Sequence, residues 1–95
     1  MDKILVVDDS KTIRGVLNQR LGAMEGVEPL FAASFREAIE VVDREKGDIF
    51  AAILDLVLPD APDGEVVDFF LSYGIPSVVL TSSLSDEMRQ KILQK

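Results

Sequence analysis

The chain has 95 residues, 47% of them hydrophobic, and a mean hydropathy of +0.20, which is enough apolar material for one small folded domain. Its formal net charge of −7 makes nucleic acid and anionic membranes poor partners. Cysteine and histidine are absent, which excludes disulfides, thiolate nucleophiles, the usual zinc sites and Ser-His-Asp sites, and suits a cytoplasmic protein. No apolar run reaches about 18 residues, so neither a membrane span nor a signal peptide is expected.

The first half of the chain predicts two strands, each followed by a helix. Residues 4–7 form a run of β-branched residues and leucine, which is typical of a strand buried on both faces of a parallel sheet. Ser10 is placed to cap a helix that ends at Gly26. A weaker strand over 27–33 contains a proline, as an edge strand tolerates. The capping box over 34–37 then begins a second helix.

The second half continues the alternation. A third strand is predicted over 48–54 and a fourth over 75–80, with a proline-containing loop over 56–63 and a helix between them. A polar loop over 81–85 and a helix from Asp86 follow. This order predicts a doubly wound α/β domain with a parallel sheet, right-handed crossovers and helices on both faces.

Polar side chains end three of these strands. Asp8 and Asp9 close the first strand, Asp55 closes the third and Thr81 follows the fourth. Taken singly, each has an ordinary interpretation as a helix-terminus, turn or capping residue. In the strand order 2-1-3-4, however, the three strands are neighbours and these side chains share one sheet edge. Carboxylates without His or Cys are the oxygen ligands that Mg²⁺ takes, so the pattern predicts Mg²⁺ beside one reactive carboxylate.

Three segments together resemble the signatures of response-regulator receiver domains of two-component signalling, of the chemotaxis-receiver kind. They are Ile4-Leu5-Val6-Val7-Asp8-Asp9-Ser10, Leu54-Asp55-Leu56-Val57-Leu58-Pro59 with Gly64, and Val78-Val79-Leu80-Thr81-Ser82. The resemblance covers the whole chain in register. It implies a flavodoxin-like fold of five strands and five helices, with strand order 2-1-3-4-5.

The resemblance also implies a function and a role for each signature residue. Asp55 would accept a phosphoryl group from a histidine kinase or phosphotransfer protein. This phosphorylation would control an output domain in the same or another chain. Thr81 would be the switch hydroxyl, and the small Ser82 would leave room for the phosphodonor. Beyond this autocatalytic transfer and slow autodephosphorylation, no enzyme activity is implied. The implied Mg²⁺ ligands are Asp8, Asp9, Asp55 and the backbone carbonyl of Val57.

The chain departs from the family pattern in two places. Gly64 lies five residues beyond Pro59 where the family usually has four, which reshapes the loop past the metal carbonyl. The sequence ends at Lys95, before the fifth strand with its aromatic residue and Lys-Pro pair, and before the fifth helix. We therefore expect residues 1–95 to be a receiver domain shortened at its C-terminal end. Its fourth strand would be an exposed edge that promotes self-association, which sedimentation of the chain would test.

Two other functions remain open at this stage. A degenerate receiver would act only as a protein-interaction module. The loop over 59–65 weakly resembles that of receivers at the front of cyclic-dinucleotide signalling proteins, so such a protein is one example. An aspartate-nucleophile phosphatase of the haloacid dehalogenase type would need a second aspartate where Val57 stands, so it ranks last. Treatment with acetyl phosphate and Mg²⁺ separates a phosphorylated receiver from a degenerate one.

Overall fold

A computed structural model describes residues 2–45, 47–55 and 58–80. The strands form one parallel sheet in the order β2-β1-β3-β4, so the predicted α/β class and strand order are confirmed. The predicted loop over 81–85 and the helix from Asp86 lie outside the described residues. In chain order the elements are β1 (Asp2–Val7), α1 (Lys11–Gly22), β2 (Val27–Ala32), α2 (Phe35–Glu45), β3 (Ile49–Asp55), α3 (Glu65–Ser72) and β4 (Ser77–Leu80).

The main hydrophobic core lies between the sheet and the helices α2 and α3. Alternate residues of β1 and β3 face it, because successive strand side chains point to opposite faces. Leu5, Val7 and Leu54 are fully buried there. Phe70 of α3 is the largest fully buried side chain. This core holds β1 and β3 in a fixed register, which sets the positions of the residues that follow both strands.

The helix α1 lies on the opposite face of the sheet. The step from β1 to β2 runs in one direction and the steps to β3 and β4 run in the other, so right-handed crossovers place their helices on opposite faces. Leu21 is the buried residue of this helix, whereas Val16 is 46% exposed. The helix ends at Gly22 and not near Gly26, so the predicted boundary is wrong. The reason is a tight turn that replaces the last helical turn, in which the Met24 amide donates to the Leu21 carbonyl at 3.0 Å.

The two outer strands of the described sheet are β2 and β4. Pro29 lies in β2, which is an edge strand as predicted. Within the described residues, β4 pairs with β3 alone, and its Val78 is 62% exposed. Self-association through β4 stays a prediction. No helix in the described ranges combines the length and apolar composition that crossing a bilayer needs.

Candidate functional site

The structure brings three of the predicted site residues together at one edge of the sheet. One carboxylate oxygen each of Asp8, Asp9 and Asp55 lies within 4.8 Å of the others. The cause is the parallel register of β1 and β3, which pairs Val7 with Leu54 and so brings the next residue of each strand to the same level. Asp8 is 0% exposed and Asp55 is 2% exposed, whereas Asp9 faces solvent. We call these three residues the carboxylate cluster.

Backbone hydrogen bonds hold Asp8 in place. Its amide extends the ladder to β2 by donating to the Ala32 carbonyl at 3.0 Å. Its Oδ1 accepts from the Ser10 amide at 2.7 Å, and its carbonyl accepts from Arg14 Nη1 at 2.7 Å. Ser10 caps α1 as predicted, because its Oγ accepts from the Ile13 amide at 3.3 Å. The loop after β1 therefore has little freedom to move the carboxylate.

Asp55 is the last residue of β3 and lies opposite Leu80 of β4 in the sheet register. The residue that follows Leu80 in the chain is Thr81, so the sequence places the predicted switch hydroxyl directly after the strand that flanks Asp55. Thr81 itself lies outside the described residues. The same is true of Val57 and Ser82.

The loop after β3 is fastened at several points. Leu58 and Ala61 exchange backbone hydrogen bonds of 3.4 and 3.1 Å, and both are 0% exposed. Between them, Asp60 reaches across to α2 and accepts hydrogen bonds from the Phe35 amide at 2.9 Å and the Arg36 amide at 3.0 Å. These two hydrogen bonds, Phe35 first, hold the pKa of Asp60 below its usual value of 3.8.

Sequence reasoning missed Asp60. A helix N-cap is normally sought in the residue before the first turn, whereas Asp60 caps a helix that begins 25 residues earlier in the chain. The local cap was found: Ser34 Oγ accepts from the Glu37 amide at 3.1 Å. The return bond of the predicted capping box differs, because Glu37 Oε2 accepts from the Ala33 amide at 2.7 Å and not from Ser34.

The chemistry of the carboxylate cluster fits a hard divalent cation. Carboxylates held this close repel one another, and burial of two of them adds a desolvation cost that a cation offsets. Oxygen donors alone suit Mg²⁺, which needs only a few carboxylates and keeps several waters. The donor set agrees with the Mg²⁺ site that the sequence predicts.

Comparison with known proteins gives an independent view of the chain. No protein-family model matches it. Over 91 residues it is 42% identical to the transcriptional regulatory protein YxdJ of Bacillus subtilis (strain 168), covering 95% of the chain and 38% of that relative.

The chain is also similar to solved structures of response regulators. One protein, described as a two-component system response regulator/GGDEF domain protein, is 38% identical with a TM-score of 0.73, covering 99% of the chain and 37% of that one. The N-terminal domain of a response regulator receiver protein from Methanoculleus marisnigri JR1 is 26% identical with a TM-score of 0.74, covering 94% and 74% of the two chains.

The chain thus spans well under half the length of the curated relative YxdJ and of the GGDEF domain protein. The similarity to both nevertheless extends over almost the whole of this chain, 95% of it for YxdJ and 99% for the GGDEF domain protein. In fold and in sequence, the chain matches response-regulator receiver domains over almost its whole length.

Proposed function

We propose that this receiver domain is a phosphorylation switch, in which Asp55 accepts a phosphoryl group from a histidine kinase or phosphotransfer protein in the presence of Mg²⁺. One observation carries the proposal: the nearly buried Asp55 lies within 4.8 Å of two further carboxylates at the carboxyl end of the sheet. Ligands of doubly wound α/β domains bind at this end.

Asp55 would act as the nucleophile. One of its carboxylate oxygens forms a bond to phosphorus while the bond between phosphorus and the donor atom breaks, and the electron pair of that bond leaves with the donor. These 95 residues contain no histidine, so the phosphohistidine of a kinase must come from outside them. Because a carboxylate is a weak nucleophile, Asp55 must be held in line with the incoming phosphorus, and its position at the end of β3 supports this role.

Asp8, Asp9 and Asp55 are the side chains that would hold Mg²⁺, with the backbone carbonyl of Val57 as a further proposed ligand. When bound, the cation neutralises charge on the carboxylates and on the phosphoryl oxygens. The Ser10 amide holds the Asp8 carboxylate in place, and Arg14 holds the backbone carbonyl of the same residue.

The remaining assignments follow the family resemblance. Thr81 would be the switch hydroxyl and Ser82 would border the phosphoryl group. The domain would have no enzyme activity beyond transfer to Asp55 and slow autodephosphorylation, and would work in the cytoplasm. The comparisons include a transcriptional regulator and a GGDEF domain protein, whose outputs differ, so the proposal extends only to an unspecified output domain or partner.

A degenerate receiver that serves only as a docking module is the less favoured function. Such a module has no need to hold three carboxylates within 4.8 Å of one another, two of them buried. The intact cluster therefore favours phosphorylation.

The test is phosphorylation of the purified chain by acetyl phosphate and Mg²⁺, followed by intact mass measurement. We expect the mass of one phosphoryl group to be added to the wild type and to Asp63→Asn, a matched control in the exposed part of the same loop. Asp55→Asn should gain none, and chelation of Mg²⁺ should prevent the gain in all variants. Normal phosphorylation of Asp55→Asn would refute the assignment.

A further inference from the structure

Asp60 links two loops that the sequence separates widely. It lies at the tip of the turn between Leu58 and Ala61, and each of its two carboxylate oxygens accepts a hydrogen bond from one amide in the first turn of α2. The first amides of a helix lack intrahelical acceptors and must find them elsewhere. Here the acceptor comes from the loop after β3, so the start of α2 and this loop share one carboxylate.

The turn stands close to Asp55 along the chain. Only positions 56 and 57 separate Asp55 from Leu58, whose side chain is fully buried. The buried side chains of Leu58 and Ala61 fix the two ends of the turn. Asp60 adds the directional contact, since two hydrogen bonds to successive amides define the orientation of the turn relative to α2.

The same hydrogen-bonded path reaches the rest of the carboxylate cluster. The Asp8 amide donates to the Ala32 carbonyl at the end of β2, and Phe35 begins α2 three residues later. The loops after β1, β2 and β3 are therefore joined in series by Asp8 and Asp60. A displacement of the Asp60 turn would act on the loop that begins directly after Asp55.

We propose that Asp60 is a positioning residue for the carboxylate cluster: by holding the loop after β3 against the start of α2, it helps to keep Asp55 in the place that the register of β1 and β3 sets. Its consequence for phosphoryl transfer rests on the proposed function of Asp55, but its effect on the geometry of the loop does not. The competing explanation is that Asp60 only caps α2. In that case its loss would weaken the helix and leave the cluster unchanged.

Two matched variants separate these explanations. Asp60→Ala removes both hydrogen bonds to α2, whereas Ser34→Ala removes the 3.1 Å bond to the Glu37 amide in the same helical turn without touching the loop. Asp60→Asn keeps an acceptor oxygen but loses the charge. Asp63→Ala removes a charge from the same loop, and within the described ranges the Asp63 carboxylate accepts no hydrogen bond.

The first measurement is the amide spectrum of the full, metal-free chain. We expect the Asp55 and Leu58 amide resonances to move in Asp60→Ala and to stay in place in Ser34→Ala and Asp63→Ala. The second is Mg²⁺ affinity by calorimetry, which should fall about tenfold in Asp60→Ala, the low end for losing a group that orients metal ligands. Asp60→Asn should recover most of that affinity.

Unchanged Asp55 and Leu58 amides in Asp60→Ala would overturn the proposal, and so would equal losses of Mg²⁺ affinity in Asp60→Ala and Ser34→Ala. Failure of the wild type to accept a phosphoryl group would instead count against the proposed function. The amide comparison would still decide the role of Asp60 in that case.

Discussion

Acidic side chains have different surroundings at the two ends of the parallel strands. At the edge where the strands begin, Glu45 accepts a hydrogen bond from Lys3 Nζ at 3.0 Å, and both side chains are largely shielded from solvent. At the edge where the strands end, the carboxylate cluster holds three acidic groups within 4.8 Å of one another. A paired carboxylate stabilises the fold by itself, whereas clustered carboxylates cost stability until a cation binds. The contrast separates an acid that stabilises the fold from the acids that would hold the proposed Mg²⁺.

The largest expected effect tests whether the cluster edge transmits a signal. If Thr81 reads the phosphoryl group, Thr81→Ala should still be phosphorylated but should lose the amide shifts that beryllofluoride, a phosphoryl mimic, causes over residues 82–86 in the wild type. Thr12→Ala, an exposed change of the same kind in α1, should keep those shifts. Equal shifts in Thr81→Ala and wild type would argue against a switch hydroxyl.

A charge-removing pair of variants compares the two edges directly. Asp9→Asn should weaken Mg²⁺ binding by at least about tenfold. In chelator it should also raise the thermal midpoint by a few degrees, because it relieves repulsion within the cluster. Glu45→Gln should leave Mg²⁺ affinity unchanged and lower the midpoint, because it breaks the pair with Lys3. Calorimetry and thermal unfolding in chelator are the measurements.

The opposite signs are the informative part of that comparison. If Asp9→Asn lowered the midpoint of the metal-free protein as Glu45→Gln does, the carboxylates at both edges would be structural. The distinction between the edges would then be lost.

The smallest expected effect concerns pH. The hydrogen bond to Glu45 raises the pKa of Lys3 above 10.5, so the stability that this pair contributes is present below pH 10.5 and is lost as pH rises through the raised value. The pKa of Asp60 is lowered below 3.8 by the amides of Phe35 and Arg36, so its contribution is present above pH 3.8 and is lost as pH falls through the lowered value.

Thermal midpoints measured against pH should show this asymmetry. The difference between wild type and Glu45→Gln should be lost as pH rises through the raised pKa of Lys3, and the difference between wild type and Asp60→Ala should be lost as pH falls through the lowered pKa of Asp60. Differences that stay constant across the whole range would mean that neither ionised group contributes in the way described.

Sequence reasoning recovered the features that depend on local pattern. The apolar run over 4–7 lies within β1, Ser10 caps α1, and glycines follow the ends of α2 and α3. The adjacency of the first and third strands then follows from the fold class, and it placed Asp8, Asp9 and Asp55 together.

What the sequence did not reveal depends on contacts made in space. The amides capped by Asp60 lie 24 and 25 residues away, so no local motif signals them. The end of α1 was misplaced because Met24 fits a helical spacing but is 53% exposed in a turn. A register shift in β3 opposite Lys3 and Ile4 likewise leaves Phe50 exposed within a strand that reads as continuously apolar.

Tyr73 has a practical consequence for any experiment on this domain. It is the single tyrosine of a chain without tryptophan, and its ring lies 4.8 Å from that of Phe69. It follows the last residue of α3, so it lies at the opposite end of that helix from the loop after Asp55. The length of β3, about 20 Å, separates the two ends of the sheet. Tyrosine fluorescence should therefore not respond to events confined to the carboxylate cluster. A change in emission on adding beryllofluoride would mean that the structural change extends from the cluster to the opposite end of α3.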